Sequence, residues 1–201
     1  QLSTLTANDP QNSEWRDTYS NAQLFLLSII PDNDWNVDHQ TVLSRLVEEA
    51  GEMHRKEPSS TQYLTSYARM RMEKARRDLS NGNTIPAYES IKSAHAMLDD
   101  LFKTADFSPL LLIELANSAE LLGKVLNAGG DSKAAEQVWL KAAALIDKQS
   151  TRIFDYIPIR YKLAVNLSQT AKARELEAIL LKAGYRNQQM PIAINTPGND
   201  R

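Results

Sequence analysis

One punctuation pattern occurs twice, 48 residues apart, and it constrains the fold of this chain more than any other feature. The stretch 80–98, "SNGNTIPAYESIKSAHAML", and the stretch 127–146, "NAGGDSKAAEQVWLKAAALI", each open on a glycine-containing turn with a capping side chain. In each a helical segment follows, carrying small, large and small residues at i, i+4 and i+7: Ala87, Ile91 and Ala94, then Ala135, Trp139 and Ala142. Asp131 suits an N-cap, because its carboxylate can accept unpaired amide hydrogens of the first turn and favours the positive end of the helix dipole. Gly129 and Gly130 permit the turn that lets a preceding helix stop. In the earlier copy Gly82 sits in the turn, Asn83 or Thr84 is the cap, and Pro86 falls in the first turn, where its missing N–H costs nothing. The 48-residue shift also places Tyr67-Ala68 on Leu115-Ala116 and Ala75 on Gly123. The unit is thus a helical hairpin: a first helix, a glycine turn and a second helix that approaches the first closely at its alanines, with Trp139 expected to fill space toward a neighbouring hairpin.

Helical periodicity between such signals predicts about eight helices, over 12–30, 38–56, 60–81, 84–103, 108–129, 131–149, 154–169 and 171–183. Ser108-Pro109 opens one of them and Gly184 closes the last. Strand-type alternation is hard to find, and only seven glycines and eight prolines occur in 201 residues. The tail 185–201 is expected to be irregular. A hairpin alone leaves an apolar face uncovered, so hairpins stack, and stacking of antiparallel hairpins makes a superhelix with a long groove. The expected fold is therefore all-α, a single repeat domain over 1–184.

Charge and cysteine content narrow the chemistry. A net charge of −2 argues against a surface built throughout for nucleic acid. The absence of cysteine removes disulfides, thiolate metal sites and cysteine nucleophiles, and leaves cytoplasm and periplasm equally open. The longest uncharged run, residues 18–31, falls short of the ~20 apolar residues that a membrane-crossing helix needs. The chain begins at Gln1 in mid-pattern, which reads as a fragment of a longer protein.

No catalytic constellation stands out. His39, His54 and His95 lie far apart and lack a glutamate three residues before them, so neither the bundle-metal motif nor a zinc His-Glu-x-x-His pattern is present. Glu48, Glu49 and Glu52 near His54 read as a solvated helix face rather than a cation site. Gly-x-Gly-x-x-Gly, phosphate-loop and Gly-x-Ser-x-Gly motifs are missing, and no cofactor is expected. Adjacent Asp99 and Asp100 point in different directions on a helix. The basic stretch 68–77, "ARMRMEKARR", admits two readings: a stripe for an acidic peptide or phosphates, or a solvated helix with Ala68, Met72, Ala75 and Leu79 inward.

Leu122, Gly123, Leu126, Ala135, Trp139 and Ala142 stand at the signature positions of the tetratricopeptide repeat, and the central hairpin resembles that family, with Asp147 in place of the usual closing proline. "NDPQNSEW" is similar to a repeat junction, with Pro10 closing one repeat and Trp15 opening the next. The preceding hairpin departs from the pattern at Lys74 and Asp78, where large apolar residues are normal. "AKARELEAILLKAGYRN" is similar to the closing segment of such regions behind bacterial serine/threonine kinase domains and winged-helix regulators. The resemblance implies a right-handed superhelix and a non-catalytic module that binds an unknown protein or peptide within a bacterial regulator. It also implies a groove lined by exposed positions of each first helix. These are Glu14, Asp17 and Asn21, then Arg69, Met72 and Arg76, then Asn117, Glu120, Lys124 and Asn127. An architectural spacer or homodimerisation element is the alternative, and nucleic-acid binding through 69–77 a more distant one.

Overall fold

Short polar side chains start most of the helices. In the computed structural model, Asn12 Oδ1 accepts the Trp15 amide at 3.0 Å, Ser60 Oγ that of Tyr63 at 3.3 Å, Ser108 Oγ that of Leu111 at 3.4 Å, and Asp131 Oδ1 that of Ala134 at 3.0 Å. Asn36 and His39 form a reciprocal capping box, so His39 serves a helix end. The structure describes Thr4, Asp9 and residues 12–149 and 156–185. Pro10, the start expected for the seventh helix, and the tail beyond Tyr185 lie outside the described residues.

The caps delimit α1 (Ser13–Ser28), α2 (Val37–Lys56), α3 (Thr61–Ser80), α4 (Thr84–Thr104), α5 (Pro109–Ala128), α6 (Ser132–Gln149), α7 (Ile157–Asn166) and α8 (Thr170–Lys182), with a short 3₁₀ turn at Asp32–Asp34. Among the described residues the chain is all-α, and the eight helices follow the expected segments closely. Three of the turns between or after helices share one geometry. Gly82, Gly130 and Gly184 adopt φ of 78°, 90° and 89°, and an amide closes back over each helix end: Asn83 N to Asp78 O, Asp131 N to Leu126 O, Tyr185 N to Leu180 O. The α7–α8 turn closes in the same way, Gln169 N to Ala164 O at 2.8 Å, but its left-handed position is held by Ser168 at φ 55°. That turn carries no glycine, so only the helical periodicity, which breaks between 169 and 171, marks it in the sequence.

The chain forms two compact units, residues 1–114 and 115–201, the division falling inside α5. In the first, α1 packs on α2 and α3, and α3 packs on α2 and α4. Its core joins Leu24 and Leu27 of α1, Leu43, Leu46, Ala50 and Met53 of α2, and Tyr63 and Met70 of α3. The α3–α4 hairpin closes over Ala75, Ala87, Ile91, Ala94 and Leu98, all fully buried. The small–large–small expectation therefore holds there. Lys74 and Asp78, the two polar residues at normally apolar positions, satisfy each other at 2.6 Å.

In the second unit α7 packs on α6 and α8 around Tyr161, Ala164, Ala173, Leu176 and Leu180. Ala135, Trp139 and Ala142 are buried as expected. The role of Trp139 differs from expectation, because its indole lies against Gly123 of its own hairpin and donates Nε1–H to the Glu120 carbonyl at 3.0 Å. A Cβ on Gly123 would overlap the indole ring, so the absence of a side chain there creates the slot that the tryptophan fills.

Candidate functional site

Polar contacts between the hairpins of the first unit recur at one register. Gln62 Nε2 donates to Asp17 Oδ2 at 2.8 Å, Asn21 Nδ2 to Ser66 Oγ at 2.9 Å, and Arg69 Nε to Glu114 Oε1 at 2.9 Å, each across 45 residues. The same offset joins Arg77 to Asp32 at 2.6 Å. In the second unit Asn166 donates to Glu120 across 46 residues. The register at which neighbouring hairpins touch is thus about three residues shorter than the 48-residue sequence repeat. Three residues turn a helix by roughly 60° short of a full revolution, so the repeat shift alone aims at a different face.

The contacts between α1, α3 and the first turn of α5 border a groove of about 580 Å³, which also takes in the C-terminal end of α4. Asp17, Asn21 and Arg69, three of the residues named from the sequence, line it together. Thr65, Ser66, Gln62, Leu110 and Glu114 complete the lining nearest to them. The sequence missed these five because the 48-residue shift maps Asn21 onto Arg69, whereas the contact register maps it onto Ser66. Thr61 to Arg69 supplies the polar side and Leu101, Ala105, Leu110 and Leu111 the apolar one. Leu110 is 68% exposed, an open apolar surface inside the groove.

The remaining named residues are placed elsewhere. Glu14 is exposed on α1 outside the lining. Met72 is 6% exposed and faces inward with Ala68 and Ala75, because its apolar side chain belongs to the buried stripe of α3. Arg76 pairs with Glu73 at 2.6 Å. Glu120 is also 6% exposed, because its Oε1 is held by Lys124 Nζ at 2.7 Å and Asn166 Nδ2 at 3.1 Å. Asn127 accepts from the Ser132 hydroxyl at 2.8 Å across the α5–α6 turn, and Asn117 is half-buried. Openness, expected at all ten, therefore fails at Met72, at Glu120 and, within the groove itself, at Asp17, which is 2% exposed.

The basic stretch of α3 follows the second reading in its inward face, with Ala68, Met72 and Ala75 buried, and departs from it at Arg77. Arg77, expected at the surface, is 3% exposed. Its Nε bonds Glu73, Nη1 bonds Asp32, Nη2 bonds the Leu27 and Ile30 carbonyls, and its guanidinium stacks 4.0 Å above the Trp35 ring. Arg69, Lys74 and Arg76 are each paired with a carboxylate, and Arg71 stacks on Tyr67 and donates to its hydroxyl. Lys74 and Arg76 pair within α3, whereas Arg69, Arg71 and Arg77 tie it to its neighbours.

His54 stacks on Tyr67 with centroids 6.1 Å apart, and burial holds the His95 imidazole below the usual histidine range, partly offset by Asp99. Glu49 pairs with Arg45 at 3.0 Å. Among the described residues no group of three or more metal-ligating side chains comes together, and no helix is long and apolar enough to cross a membrane. No family model, curated protein or solved structure matches this chain.

Proposed function

We propose that this chain is a non-catalytic protein- or peptide-binding module of the tetratricopeptide type, serving a larger bacterial regulatory protein as a sensing or scaffold part. The groove of the first unit carries this reading. Successive first helices, α1, α3 and α5, contribute side chains to one depression of about 580 Å³, polar on one flank and apolar on the other. A depression of that size, bordered by helices with interlocked polar side chains, is preformed, so an extended peptide would bear most of the ordering cost.

Selection of random displayed peptides on the purified chain tests the proposal. Enriched sequences are expected to bind wild type and to lose about tenfold or more in affinity on Thr65→Trp and on Leu110→Lys, which fill and charge the groove from its rim. Equal binding by the folded variants, or no enrichment, would remove the groove as the binding site.

A second reading, homodimerisation, is favoured by a specific patch. Phe25, Leu26 and Ile29 of α1 are 65%, 60% and 62% exposed at helical spacing. Sedimentation equilibrium checks it: a dimer that Phe25→Asp converts to monomer supports it, and a monomer at high concentration removes it.

A further inference from the structure

The charges inside the groove specify the kind of peptide that fits it, an inference that rests on the peptide-binding reading. Its charged lining comprises Asp17, Asp106, Glu114 and Arg69, three carboxylates against one guanidinium. Arg69 and Glu114 hold each other, with Arg69 Nη2 2.8 Å from Oε1, so they leave little net field. Asp17 and Asp106 remain, and Asp17 is the unusual one. It is 2% exposed, Oδ2 receives a donor, and among the described residues no donor reaches its buried Oδ1. The neighbouring amide that lies nearest in the helix, Asn21 Nδ2, is already committed to the Asp17 carbonyl and Ser66 Oγ. A buried carboxylate oxygen without a donor is costly and calls for one from outside the fold.

Access depends on Gln62. Its amide covers Asp17 Oδ2 at 2.8 Å, yet Gln62 itself is exposed, so rotation of that one side chain uncovers the carboxylate without disturbing the core. On the opposite flank, exposed Leu110 with Leu101 and Leu111 offers an apolar bed. A side chain with an aliphatic stem and a cationic donor at its tip satisfies both flanks at once. We infer that the groove receives a lysine or arginine side chain of a peptide, its stem along Leu110 and its head displacing the Gln62 amide from Oδ2, so that its several donors serve both Asp17 oxygens, the unpartnered Oδ1 included. An acidic peptide would have to separate Glu114 from Arg69 and then lie beside Asp17 and Asp106.

Four matched acetylated and amidated pentapeptides, Gly-Leu-X-Leu-Gly with X lysine, arginine, norleucine or glutamate, titrated into the isotope-labelled full chain, provide the test by amide chemical shifts. Binding of the lysine or arginine peptide about tenfold tighter than norleucine is expected, with shifts centred on Asp17, Gln62 and Leu110. That preference should shrink in Asp17→Asn and fade as salt rises. Should Asp17→Asn not fold, Asp106→Asn, at an exposed position, must still weaken the basic peptides selectively. Norleucine binding as tightly as lysine, or glutamate binding tighter, overturns the inference and leaves the groove a peptide site of other specificity. Shifts outside the groove, or no binding by any peptide, overturn the inference and the groove reading together.

Discussion

At the scale of single residues, steric room decides more than residue type. Gly123 and Gly51 both lie inside helices against an aromatic ring, but a Cβ at Gly51 would meet Tyr67 Cε2 at 3.2 Å, whereas one at Gly123 would overlap Trp139. Gly123→Ala is therefore expected to cost about 3 kcal/mol, the upper end of overpacking penalties, and Gly51→Ala under about 1 kcal/mol, since helix propensity favours alanine. Urea unfolding of the two variants checks the contrast. Ser168 points the other way: it holds a left-handed conformation at φ 55° that glycine adopts freely. Ser168→Gly should raise stability by about 0.5–1 kcal/mol, read as a higher urea midpoint at unchanged slope.

At the scale of elements, the caps Ser108 and Asp131 were legible because each is local, with acceptor and amide three residues apart, whereas Asn83, expected to cap α4, makes no side-chain cap bond. Asp131, Ser108 and the glycines of the hairpin turns all do what their positions predict. Arg77 was not legible, because its partners Asp32, Leu27 and Ile30 lie 45 to 50 residues away and nothing in the helical pattern marks it as buried. It ties the end of α1 and the 3₁₀ turn to α3 through three hydrogen bonds and a stacked ring, with a fourth bond to Glu73 of its own helix. Arg77→Met should cost about 3 kcal/mol, because Oε1 of the buried Glu73 and two carbonyls lose a donor while Arg76 keeps Oε2. Arg77→Lys should recover little of it, since an ammonium cannot fork to Glu73 and Asp32 while stacking on Trp35. Thermal denaturation of the two variants beside wild type gives the comparison. The groove has the same character: Asp17, Asn21 and Arg69 were named as helix-face positions, while their partners follow from a packing register of 45 residues that no sequence repeat displays.

At the scale of the whole molecule, stability should depend on pH through His95. Burial lowers its pKa in the folded chain, so the unfolded chain binds the proton more readily. The stabilising difference is complete above the unfolded value near 6.5 and is lost as pH falls through it toward the folded value. The urea midpoint is expected to drop between pH 7 and pH 5, and His95→Gln should flatten that part of the profile. The division of the chain into units at 1–114 and 115–201 had no counterpart in the sequence, where caps and turns continue unchanged through α5. What the sequence determined by itself is everything set within one or two helical turns: the all-α class, the eight segments, the caps, the glycine turns and the alanines that let helices close. Tertiary structure alone decided which polar residues are buried, Asp17 among them, and how neighbouring hairpins are registered. The physical reason is range. Helix signals act over three to five residues, whereas burial and the contacts between hairpins depend on partners some 45 residues distant, brought into place by packing.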